Sequence, residues 1–196
     1  EKTLKSLKTY ILASNLANKF DFVKSYYVKV FHSGLKVATI GVVPPYGNLA
    51  SADYINTIKS VIQRLKSEVQ PDVIILATSG GITYDPVSGK QISIQSGLNL
   101  GDILVKEFSK DVDIFLFGNQ TVVYTNISKQ NKVFSIPGSE GASVNQIDIS
   151  FSQVGNKWKI SKVTIRNVKL EKIEPVESVL NWAQQFETLI EKWLDT

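Results

Sequence analysis

Cysteine is absent from this chain, which excludes thiol catalysis, disulfides and thiolate-bound zinc outright. Histidine occurs once, as His32. One imidazole cannot build a metal cluster or a proton relay, and the turn His32-Ser33-Gly34 makes it a surface residue. No apolar run approaches the ~20 residues of a membrane-spanning helix. The start, Glu1-Lys2-Thr3-Leu4, has neither an initiator methionine nor the apolar stretch of a signal peptide, so the chain reads as a processed or excised piece of something longer. A basic cluster with interleaved aromatics is also missing: the net charge is a mild +4 and the lysines are spread along the chain. Nucleic acid is therefore not an expected partner. What is present is globular in kind. With 196 residues, 43% hydrophobic and 20% charged, one domain with a substantial core is expected.

Hydrophobic patterning orders that domain. Residues 1–8 read as a helix tail, with Leu4 and Leu7 at a three-residue spacing, and Tyr10–Ala13 as a short strand ending at Ser14-Asn15. Lys24–Phe31 alternates as a strand and turns through residues 32–34 into Leu35–Val43, apolar on both faces as a central strand should be. Pro44-Pro45-Tyr46-Gly47-Asn48 breaks it, and Ser51 or Asp53 then caps a helix over Tyr54–Val69 with the stripe Ile55, Ile58, Ile62 and Leu65. Asp72–Ala77 is the next buried strand, followed by a loop over 78–92, a helix over Leu98–Phe108 and a strand over Asp113–Phe117. Strands are expected over 121–127, 132–136, 144–151 and 158–168, with turns at Gly138–Gly141 and Gly155-Asn156. Glu174-Pro175 opens a last helix, with Val176, Val179, Ala183, Phe186, Ile190 and Trp193 on one face and Trp182 as a second indole. Helices and parallel-type strands first, then an antiparallel run, indicate a layered mixed α/β architecture.

Two of these strands end in small, polar loops: Val73–Gly81 runs Val-Ile-Ile-Leu-Ala-Thr-Ser-Gly-Gly, and Asp113–Thr121 runs Asp-Ile-Phe-Leu-Phe-Gly-Asn-Gln-Thr. Thr78 there reads as a strand terminator, with a weak ligand or a phosphate contact as the sharper alternative. Asn119 could bond the loop backbone, carry a glycan or offer an amide oxygen to a metal. Asn119-Gln-Thr121 and Asn126-Ile-Ser128 both match the N-glycosylation acceptor pattern, which matters only outside the cell. Gly80-Gly81 could cradle a phosphate, but no lysine follows at P-loop spacing. Asp72 and Asp113 open their strands at the far end and read as turn residues. Glu140, between Ser139 and Gly141, reads first as a solvated loop acid.

Several local patterns, in order, resemble the metallophosphoesterase domain of the 5′-nucleotidase and 2′,3′-cyclic-nucleotide phosphodiesterase family, a calcineurin-like fold. Leu12-Ala-Ser-Asn15 is similar to that family's strand ending before Asn, and Gly34–Val43 to its G-x-K-V-G-V-I-G strand. Ile75-Leu-Ala-Thr-Ser-Gly80 lies where the family has L-A-H-S-G, and Phe117-Gly-Asn-Gln-Thr121 where it has G-H-x-H or G-H-x-Q. Ile136-Pro-Gly-Ser-Glu-Gly141 resembles its P-G-S-x-G loop. The resemblance implies a β-sandwich flanked by helices (α/β/β/α), with a two-metal centre at the strand ends. It implies a domain over 1–170 that lacks the N-terminal metal-binding segments, and a helix over 171–196 that packs on it or leads to a missing domain.

The departures set the functional expectation. Thr78, Asn119 and Thr121 stand at the family's histidine positions, leaving Glu140 as the acid near the cleft. No catalytic residue and no metal ligand is assigned, and no cofactor is expected. The chain is read as a non-catalytic relative or segment with a binding or assembly role, extracytoplasmic or at the cell surface. An N-terminal half or another chain is expected to complete its sheet, because open edges aggregate. Two alternatives stay open. One is a manganese- or zinc-dependent phosphoester hydrolase whose other half supplies the ligands. The other is a structural surface component glycosylated at Asn119 or Asn126.

Overall fold

A computed structural model describes residues 9–45, 53–171, 173–174 and 176–194. The expected helix tail over 1–8, the break at Tyr46–Asn48, the cap at Ser51, and Pro175 lie outside the described residues, as do the side chains of Trp182 and Trp193.

A six-stranded mixed sheet forms the body: β3 (Tyr26–Val30), β4 (Lys36–Val42), β5 (Val73–Thr78), β6 (Ile114–Phe117), β8 (Val133–Pro137) and β7 (Val123–Ile127), in that spatial order. The strands β4, β5, β6 and β8 run parallel to one another, and β3 and β7 are antiparallel edges. The inner strands are apolar on both faces because both faces are covered. One takes helix α1 (Tyr54–Arg64, extended by a π turn over Leu65–Val69) and helix α2 (Gly101–Phe108), which join Ala38, Ile40, Leu76, Phe115 and Ile136 in the larger core. The other takes a long hairpin, β9 (Ser143–Val154) with β10 (Lys157–Lys169), whose Ile147, Ile149, Ile160, Val163 and Ile165 pack on Val73, Ile114 and Val133. The layered mixed α/β sandwich is therefore as the sequence implied, with a two-stranded second sheet. A short parallel pair, β1 (Ile11–Leu12) and β2 (Val23–Lys24), lies over β4.

Local chemistry explains the element ends. In α1, Ile58, Val61, Ile62 and Leu65 are buried, an i, i+3, i+4, i+7 stripe. Asp53 sits at the N-cap as expected, but its carboxylate accepts from the Asn56 amide rather than from a backbone N–H. The π turn closes with the Gln70 amide donating to the Leu65 carbonyl, and Gln70 takes a left-handed φ of 54°. Helix α2 starts at Gly101, later than the expected Leu98. A Cβ at Gly101 would lie 2.3 Å from Ile82 and 2.6 Å from Phe117, and its N–H donates to the Gly81 carbonyl, so the preceding loop fixes the first turn. Asp72 and Asp113 do more than turn the chain. Asp72 accepts from the amides of Lys36 and Trp158, and Asp113 from that of Ile74, so each carboxylate ties its strand to a neighbour. In β10 the register shifts between Ile160 and Lys162, leaving Ser161 as an extra residue. The last helix, α3 (Glu177–Leu194), begins two residues after Pro175, with the Val176 carbonyl accepting from the amides of Val179 and Leu180.

Candidate functional site

The two parallel strands β5 and β6 stop side by side, with Thr78 paired to Phe117, and the chain leaves both in loops at the same sheet end. Thr78 is buried, and its hydroxyl accepts from the Gly80 amide at 2.9 Å. That side chain shapes the loop and does not line an opening. Gly80 and Gly81 are small for packing reasons: a Cβ would come within 2.7 Å of the Leu98 carbonyl oxygen at Gly80 and within 2.3 Å of Gln120 at Gly81.

Gln120 is the residue that joins the two loops. Its amide oxygen accepts from the Ile82 N–H at 3.1 Å, and its nitrogen donates to the Ile82 carbonyl and the Ser93 hydroxyl, both at 2.7 Å. Asn119 precedes it with a left-handed φ of 54°, which Asn tolerates better than most residues. That bend carries Gln120 beneath the first loop and leaves Asn119 and Thr121 exposed. On the other side, Asp102 in the first turn of α2 accepts from the amides of Thr83 and Tyr84 at 3.0–3.1 Å.

Asn119, Gln120 and Thr121 form a ridge between two open hollows. One, about 410 Å³, is completed by Gly138, Ser139 and Glu140. The other, about 370 Å³, is completed by Ile92, Ser93, Ile94, Ser96, Asn99 and Val122. Glu140 also has a positive φ, 60°, between Gly138 and Gly141. The structure thus gathers Asn119, Thr121 and Glu140 at one mouth and leaves Thr78 beneath it. A hollow of similar size, about 420 Å³, lies at the opposite strand ends beside Lys66, Asp72 and Trp158. There the Asp72 carboxylate is already used by two backbone amides.

Asn126, the other acceptor-pattern residue, is half-buried on β7. Its oxygen accepts from the Ile127 amide and its nitrogen donates to Asp85 at 3.4 Å. Asp85 also accepts from the Val87 amide and from the hydroxyls of Ser88 and Tyr124. Burial alone would raise the Asp85 carboxyl, but the bonds from Ser88, Tyr124 and the amides of Val87 and Ser88 outweigh it and hold it at about 2. A carboxyl lowered on folding stabilises above its unfolded value of ~3.9 and loses that contribution as pH falls through about 2. Asp85→Asn should therefore lower the urea midpoint at pH 5, and the gap to the parent should close towards pH 2. A gap independent of pH would mean the carboxylate's charge does not hold the loop.

Sequence reading missed Gln120, Ser93, Asp102 and Asp85, each of which bonds at least one residue distant from it in the chain. A partial signal was present: a strand followed by Gly-Asn marks a left-handed bend that turns the next side chain inward.

No family model matches the chain, and no curated protein matches it. Solved structures do. Over 99% of its length the chain superposes on a protein assigned as a 5′-nucleotidase from Staphylococcus aureus, solved with alpha-ketoglutarate, at a TM-score of 0.74 and 20% identity. It superposes equally far on the calcineurin-like phosphoesterase YfkN from Bacillus subtilis, at 0.74 and 19%. Against a phosphatase from Mycoplasma pneumoniae it covers 81% of its own length and 63% of that chain, at 0.51 and 11%. The chain spans 39% of the first of these proteins and 66% of the second. The chain thus has the calcineurin-like metallophosphoesterase fold, at identities that speak for the fold alone.

Proposed function

We propose that this chain is a non-catalytic metallophosphoesterase-like domain, or the C-terminal segment of one, with a role in binding or assembly. The observation that carries the reading is the chemistry of the strand-end loops. Thr78 spends its hydroxyl on the Gly80 amide, and the mouth above it offers the amide of Asn119, the hydroxyls of Thr121 and Ser139, and one carboxylate, Glu140. Amide and hydroxyl oxygens are far poorer ligands for zinc or manganese than imidazole. A dinuclear phosphoesterase centre needs ligands for two ions ~4 Å apart. Among the described residues no three His, Cys, Asp or Glu side chains come together. The residues present therefore do not fit the metals that the fold family uses, and no hydrolytic step is derived through them.

A partner completing the sheet belongs to the same proposal. The hairpin β9–β10 pairs with no other strand among the described residues. Beside it, Leu116, Phe117, Pro137, Val144 and Ile147 line a largely apolar groove of about 350 Å³. Relatives of this fold carry further chain, and an N-terminal half supplying strands to the hairpin edge would cover that groove. An extracytoplasmic location rests on the acceptor pattern at Asn119, which is exposed at the mouth, whereas the Asn126 amide is engaged with Asp85.

Native mass spectrometry of the protein from its source tests these points together. The expected mass is metal-free, accompanied by a companion chain and by sugar on Asn119. A companion chain with about two bound metal ions would sink the non-catalytic reading and favour a phosphoester hydrolase completed in trans.

A further inference from the structure

The hollow of about 420 Å³ beside Trp158 lies at the sheet end away from the strand-end loops. Lys157, Trp158 and Lys159 come to it from the start of β10, Lys66 from the π turn, and Gln70, Pro71 and Asp72 from the link to β5. Trp158 is half-buried and held twice: its backbone amide donates to Asp72 at 3.0 Å, and its indole N–H to the Ser33 carbonyl at 3.2 Å. A ring fixed in advance loses little freedom when a ligand stacks on it. Asp72 is the only acid among the lining residues, and its oxygens already accept the amides of Lys36 and Trp158. Lys66 is paired with Asp111, whereas Lys157 and Lys159 are exposed and have no ionic partner among the described residues. The hollow is therefore rich in donors and poor in free acceptors.

The charge continues along the strand. Because Ser161 is an extra residue, Lys162 falls on the same face as Lys157 and Lys159; their opposite residues on β9 are Ser150, Val154 and Ser152. Neighbours on one face of a strand stand ~7 Å apart. Three ammonium groups thus form a line that starts at the hollow, with two serine hydroxyls beside it and Arg166 further along the same face.

We propose that this hollow and row bind a linear acidic polysaccharide, one sugar ring stacking on Trp158 and its carboxylate or sulfate groups meeting Lys157, Lys159 and Lys162. The C–H face of a sugar ring is weakly positive and suits the negative face of an indole. Anionic oxygens supply the acceptors that the hollow lacks, in charge-assisted bonds. Single-stranded nucleic acid fits less well: successive bases need successive aromatic platforms, and the outer face of the hairpin carries no aromatic residue. The inference does not rest on the non-catalytic reading of the strand-end loops.

Isothermal titration calorimetry of the full chain tests this with a heparin hexasaccharide, maltohexaose, a short polyphosphate and a thymidine oligonucleotide. The heparin hexasaccharide is expected to bind with a Kd below about 1 mM, more weakly as sodium chloride rises, and maltohexaose at least about tenfold less tightly. Trp158→Ala and Lys159→Glu should each weaken the hexasaccharide about tenfold. Lys159 is exposed, so the urea midpoint of Lys159→Glu should match the parent's, which separates a lost contact from a lost fold. Lys90→Glu makes the same charge change in the loop at the opposite sheet end and should weaken binding less than about twofold. No binding of the hexasaccharide overturns the proposal, as does binding that ignores Lys159→Glu. Polyphosphate bound as tightly, with no dependence on Trp158, would mean charge alone. Tighter binding of the oligonucleotide would replace the saccharide with nucleic acid.

Discussion

Gly41→Ala is expected to destabilise the domain by roughly 3–4 kcal/mol, combining overpacking with lost hydrogen bonds. Gly41 lies in β4, directly beneath β1. A Cβ there would sit 2.1 Å from the Leu12 carbonyl oxygen and 2.5 Å from its carbon, both backbone atoms that cannot rotate away. Relief requires β1 to lift off the sheet. The Gly41 carbonyl would then lose the Ser14 amide at 2.7 Å and the Ser14 hydroxyl at 2.9 Å. The reciprocal pair between the Asn15 side chain and the Val43 backbone would open as well. With a urea slope of ~2 kcal/mol/M, the midpoint should fall by about 2 M. Gly97→Ala is the control, because nothing lies within 4 Å of its Cβ. Equal midpoints for the two variants would mean that β1 is not seated on β4.

Phe115→Ala should cost about 3–5 kcal/mol, a large share of the ~5–15 kcal/mol that a domain has in total. Phe115 is fully buried at the centre of β6. Its ring stacks at 5.4 Å from Phe134 on β8 and 6.2 Å from Phe117, beneath the helix layer. No exposed neighbour can swing in to fill the void, so the cavity stays open. Phe115→Leu keeps most of the volume and should cost below about 1.5 kcal/mol. Thermal unfolding of both variants checks the argument. Similar losses for Leu and Ala would show that ring stacking, rather than volume, holds the layer.

What could be read from the chain follows from how far each signal reaches. Val73–Thr78 and Ile114–Phe117 declared themselves as inner strands because burial on both faces leaves continuous apolar runs. The stripe Ile58, Ile62, Leu65 marked α1 by its period alone. The start of α2 was misplaced because Leu98 and Leu100 extend the helical pattern while Gly81, Ile82 and Phe117 decide where the first turn can lie. At the strand-end loops the sequence named Asn119, Thr121 and Glu140, and the structure gathers them around one hollow. Thr78 was legible as a strand end, and its bond to Gly80 is local. Gln120 was not legible as a clamp, since both of its partner residues, Ile82 and Ser93, lie far off in the chain and no pattern links them.

The extra residue in β10 has a consequence for how this gene can change. Before Ser161 the inward side chain is the even-numbered Ile160; after it the inward ones are the odd-numbered Val163 and Ile165. Losing that single codon would remove the bulge but leave Lys162 opposite Ser150 and Val163 opposite Ile149, so the valine and isoleucine would still face inward and only the local twist would change. A point substitution at this exposed serine is cheap, and its deletion costs no cross-strand pair, whereas losing one residue well downstream of it would turn the rest of the strand over. Lineages that keep this hairpin should therefore vary both in what residue occupies the position and in whether it is there, while holding the length of the strand beyond it fixed.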